Sequence, residues 1–166
     1  MPNYIKNLLV IRSEKVNEFL DKIKSTKHND VPVDFEKIIE PPLNMFRGNL
    51  SSADEARCKE QNIPTWLDWQ KANWGTKWNA MESNILFKSD KIVAITFDTA
   101  WTTPKPIINW IFDYFTSKSD EVSFFTACEG GYFAERKYKG EYDNYDYISV
   151  ESNPKDFVHS LLASIS

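Results

Sequence analysis

Apolar and polar positions recur along this chain with periods that predict most of its elements. Residues 4–11, "YIKNLLVI", are β-prone and end at "RS", where Ser13 is placed to cap a helix. Val16, Phe19, Leu20 and Ile23 then fall at the i, i+3, i+4, i+7 spacing of an amphipathic helix. "VPVDFEKII", residues 31–39, reads as a second extended segment, stopped by Pro41 and Pro42. From Leu43 to Asn62 no apolar stripe is sustained, which predicts a polar excursion at 43–62 carrying at most a short helix.

Order returns at Pro64, where Thr65 and Asp68 have the spacing of a capping box and Trp66 and Trp69 share one helical face. Gly75 is placed to end that helix in the left-handed conformation. Two strand-like runs follow, about 78–87 and 91–97, joined by "KSD". In the second, "KIVAITF" is apolar on both faces, the pattern of a central strand. Thr103, Pro104 and Pro106 open a helix whose face is Ile107, Trp110, Ile111, Tyr114 and Phe115. "EVSFFTAC" and "YFAERKYK" flank "EGG" as a hairpin, and Asn153 before Pro154 starts a last helix striped by Phe157, Val158, Leu161, Leu162 and Ile165. Together these predict an α+β fold, a mainly antiparallel sheet with helices on one face, with a ferredoxin-like split βαβ core as the leading topology and a C-terminal strand/helix extension at 141–166.

At 166 residues the chain is read as a single domain. Its 42% hydrophobic and 27% charged residues are ordinary for a globular protein; the 14% aromatic share is not, and all six tryptophans lie between residues 66 and 110. A net charge of −4 gives no general attraction for phosphate backbones. Neither a signal peptide nor a run of about 18 apolar residues is present, so a cytoplasmic location without membrane contact is expected. Cys58 and Cys128, in no metal or redox spacing, are expected as free thiols.

Several stretches together resemble the YubB-like family of small plasmid- and phage-encoded proteins. They are the "MPN" start, "FEKIIEPP" at 35–42, "WLDWQKANWGTKWNA" at 66–80, "FDTAWTTP" at 97–104 and "EGGYFAE" at 129–135. The resemblance implies a ferredoxin-like domain and a mobile-element setting, and it carries no established activity. The chain departs from the family pattern at Tyr4, where Trp or Cys is usual, and in its residues 141–166.

The two histidines, His28 and His159, have no zinc-like partner spacing, and no nucleophile elbow, Cys/His signature or phosphate loop is present. No cofactor is expected. Asp98 ends one predicted strand and Glu129 and Glu135 bracket the hairpin, so two of these carboxylates could converge at one sheet end and share a proton. The strongest feature is "NWGTKWNA", residues 73–80. In a binding reading, Trp74, Trp78 and Trp101 wall a cleft and Lys77 supplies a cation. In a packing reading, favoured here, Trp66, Trp69 and Trp78 fill the space between short helix and sheet, and the Gly75 corner exposes one or two rings. Tyr138, Tyr142, Tyr145 and Tyr147, interleaved with Asp143 and Asp146, are further candidate contacts, or else an edge strand. The leading expectation is a non-enzymatic binding protein of a mobile element that contacts a host protein, with counter-defence as one form of that role. The alternatives are a nucleotide or single-stranded nucleic-acid binder using exposed aromatics, and an enzyme using Asp98, Glu129 or Glu135.

Overall fold

The computed structural model describes residues 3–128, 133–139 and 146–150, with side chains described as far as Ala127. In chain order the elements are β1 (Tyr4–Arg12), α1 (Val16–Ile23), α2 (Phe35–Ile38), α3 (Ser52–Glu60), α4 (Trp66–Asn73), β2 (Met81–Lys88), β3 (Ile92–Ala100), α5 (Lys105–Tyr114), β4 (Glu121–Cys128), β5 (Phe133–Lys139) and β6 (Asp146–Val150). The fold is α+β. The strands form one sheet in the order β2-β3-β1-β4-β5-β6, and every neighbouring pair is antiparallel.

Strand alternation sorts the sheet's side chains into two faces. Leu9 and Ile11 of β1, Val93, Ile95 and Phe97 of β3, and Val122 and Phe124 of β4 lie on one face. They form a single core with Phe19 and Ile23 of α1, Phe35 of α2, and Ile107, Ile111 and Phe112 of α5. Each side chain so buried contributes roughly 1.5–3 kcal/mol. Leu8, Val10, Ala94 and Phe125 make a smaller buried cluster on the opposite face, which explains why β3 is apolar on both sides: it runs between β2 and β1.

Two expectations are corrected. Ser13 does not cap α1, which begins at Val16 with Lys15 in the capping position and no side-chain cap. The Ser13 hydroxyl instead donates to buried Asp120 Oδ1 at 2.6 Å and accepts the Lys15 N–H at 3.0 Å, tying the β1–α1 corner to the turn before β4. Residues 31–39 are not an extended segment throughout. Asp34 accepts the Glu36 N–H at 3.0 Å and starts α2, so that Phe35 and Ile38, three residues apart, both reach the core. A capped helical turn satisfies those two side chains where a strand would have turned them to opposite faces.

The polar excursion is closed at its base by a parallel bridge between Phe46 and Thr65. Ser51 caps α3, on which Cys58 is the only buried side chain, the reason its sequence shows no stripe. The predicted "EGG" turn and the last helix lie outside the described residues. Among the described residues no helix is long and apolar enough to cross a membrane.

Candidate functional site

Helix α4 starts on the predicted capping box: Thr65 Oγ1 accepts the Asp68 N–H at 3.2 Å and donates to Asp68 Oδ2 at 2.9 Å. It ends where the Trp74 and Gly75 N–H groups both reach the Gln70 carbonyl, with Gly75 at φ +78° as its position requires. A Cβ at Gly75 would stand 2.7 Å from Pro106 Cδ, so the turn is pressed against the start of α5. Thr76, fully buried, donates to the Ala100 carbonyl at 2.9 Å, and Thr102 donates to the Gly75 carbonyl. These bonds join the turn after α4 to the turn after β3. Asn79 fastens the other end: its Oδ1 accepts the Phe35 N–H and its Nδ2 donates to Asp34 Oδ1, both at 2.8 Å.

Within this corner the tryptophans separate. Trp74 does not wall a cleft: it is 1% exposed, edge-on to Phe35 and Trp69, and its Nε1–H donates to the Ile39 carbonyl at 2.9 Å. Ile39 closes α2, so the carbonyl left free by that helix end satisfies the indole and makes full burial possible. Lys77 lies with its Nζ 5.0 Å from the Trp78 ring centroid, both side chains half-buried. That cation–π contact occupies a face of Trp78 which the binding reading leaves open. Trp66 donates its indole N–H to the Gly48 carbonyl at 3.1 Å, bracing the excursion.

Trp101 is the exception. It follows the last residue of β3, donates its backbone N–H to the Asn3 carbonyl at 2.8 Å, and sits at φ +69° with the side chain 53% exposed. A bulky residue in the left-handed region is a genuine outlier. Tyr4, which pairs with Ala100, is 40% exposed, so two aromatic side chains are presented at this end of the sheet.

Asp98 and Glu135 lie on strands that are not neighbours in the sheet. Asp98 faces Lys6 across the β1–β3 ladder, and Lys6 Nζ lies 2.9 Å from Asp98 Oδ2. The register pairs Glu135 with Phe125, three strands away from Asp98, which separates the two backbones by roughly 14 Å or more. Glu129, Tyr142 and Tyr145 lie outside the described residues; Tyr147 is on β6, an edge of the described sheet, opposite Arg136. Among the described residues no group of His, Cys, Asp and Glu is arranged to hold a metal ion.

One surface went unnoticed in the sequence. Ile85, Leu86 and Phe87 of β2 are 42%, 61% and 45% exposed. Three adjacent apolar residues on a strand cannot all face one core, and that run was the available signal.

In comparisons with known proteins, no family model, no curated protein and no solved structure matches the chain.

Proposed function

We propose that this chain is a non-enzymatic binding protein that contacts a host protein through the corner carrying Trp101 and Tyr4. The observation that carries the reading is Trp101 itself, a half-exposed indole at φ +69°. Left-handed backbone costs a non-glycine residue roughly 1–3 kcal/mol, and a ring left 53% exposed forgoes about half of the burial that would offset it. Such cost is met where the ring has a use, and exposed tryptophan with tyrosine is the composition of interface hot spots. The Lys6–Asp98 pair beside it favours this reading over proton-sharing carboxylates. The order β4-β1-β3-β2, with α1 to α4 between β1 and β2 and α5 between β3 and β4, supports a ferredoxin-like split βαβ core extended by β5 and β6. The mobile-element setting rests on the family resemblance, and counter-defence is the form of host contact it favours.

Trp101→Gly tests the proposal because it removes the ring and relieves the backbone together. The variant is expected to unfold in urea with stability equal to the parent or higher by about 1 kcal/mol. Immobilised on resin, it is expected to lose a stoichiometric host protein that the parent retains after nuclease treatment. A destabilised variant would make the ring a structural element, and capture of the same protein by both would remove Trp101 from the interface. Retention of nucleic acid alone by the parent would favour base stacking.

A further inference from the structure

A second surface lies toward the far end of β2. Ile85 is in register with Ile95, six residues before Trp101, so the two surfaces are roughly 20 Å apart along the sheet. Here β2 forms an edge of the described sheet, and between it and α1 opens a cleft of about 380 Å³. Leu20, Val31, Pro32 and Ile85 supply its apolar lining.

The shape of the edge decides what fits. A second copy of β2 would need a long flat strand, whereas this one has irregularities between Met81 and Asn84 and between Ile85 and Phe87, with Glu82 at φ +47°. Such breaks oppose sheet-to-sheet pairing and leave room for only a few residues of added strand. Two carboxylates, Asp21 and Asp30, and two lysines, Lys24 and Lys88, line the cleft. Asp21 is bonded to Lys24 at 2.6 Å, and Lys88 adds a further attraction to it. Asp30, also lining the cleft, has no ion-pair partner among the described residues. The net charge of −4 favours a cationic partner as well.

We propose that the β2 edge and the adjoining cleft bind a short extended peptide segment of a partner protein, pairing with β2, seating one aliphatic side chain against Leu20, Val31, Pro32 and Ile85, and placing a lysine or arginine at Asp30. Backbone pairing supplies the register and the cleft supplies the side-chain choice.

The test uses the full chain as bait for a displayed library of random octapeptides, followed by synthesis of the most enriched peptide and anisotropy titration. Enriched peptides are expected to share an aliphatic residue with Lys or Arg within two positions. Ile85→Asp, at an exposed position where the fold is checked by circular dichroism, is expected to weaken the synthetic peptide at least about tenfold. N-methylation of alternate peptide amides is expected to do the same, because it removes strand pairing, and Asp30→Asn is expected to cost about threefold. Trp101→Gly is expected to leave this binding unchanged, so the two surfaces stand or fall separately. The proposal is overturned by a library without enrichment, by binding indifferent to Ile85→Asp or to N-methylation, or by a dimer in sedimentation that Ile85→Asp dissolves.

Discussion

Gly75→Ala is the most informative single change to the corner. The alanine would have to hold φ +78°, which costs an L-residue about 1–2 kcal/mol. Its Cβ would also stand 2.7 Å from Pro106 Cδ and 3.2 Å from the Lys105 backbone nitrogen. Neither neighbour is the free end of a flexible side chain: one belongs to a proline ring in the first turn of α5, the other to the main chain. Overpacking of this kind adds about 1–3 kcal/mol, so the expected loss is about 2–5 kcal/mol, a large share of a typical domain's stability. Urea unfolding followed by tryptophan fluorescence, with far-ultraviolet circular dichroism as a second probe, measures it directly. Gly75→Asn separates the two terms, because asparagine tolerates the left-handed region while carrying the same Cβ. A smaller loss for asparagine assigns the difference to the backbone, and equal losses assign most of the cost to the clash with α5. A Gly75→Ala protein within about 0.5 kcal/mol of the parent would refute the reasoning, since it would mean that α4 and α5 are not pressed together there.

Other expectations follow from the same geometry. Trp74→Phe leaves the Ile39 carbonyl without its indole donor and is expected to cost about 1–3 kcal/mol, read from the urea midpoint at unchanged slope. Thr65→Ala removes the α4 cap and is expected to cost about 1 kcal/mol in the same assay, with Thr65→Ser recovering most of it. Burial and a hydroxyl donated to Glu18 raise the pKa of Tyr114 from 10.0 to about 12. Because the folded value lies above the unfolded one, the contribution is complete below about pH 10 and is lost as pH rises through about 12. A tyrosinate absorbance titration should therefore show a late step from Tyr114, and Tyr114→Phe should abolish that step and flatten the alkaline fall in stability.

The sequence by itself determined the elements whose cause is local. Val16, Phe19, Leu20 and Ile23 all reach the core, as their spacing requires. Thr65 and Asp68 close the capping box, Gly75 takes the positive φ that ends α4, and the two-sided apolar pattern of "KIVAITF" marks a strand with neighbours on both edges. Each of these is settled within a few residues of chain, so short-range pattern is enough to read it. Only the tertiary structure decided which tryptophan is buried. Trp74 is enclosed because a carbonyl 35 residues away, at the end of α2, meets its indole, while Trp101 projects from a turn held by Asn3. Strand order likewise set Asp98 beside Lys6 rather than beside Glu135, and left Ile85, Leu86 and Phe87 on an outer strand. Exposure depends on what arrives from distant parts of the chain to desolvate a side chain and satisfy its polar atoms, and no local spacing of residues encodes that arrival.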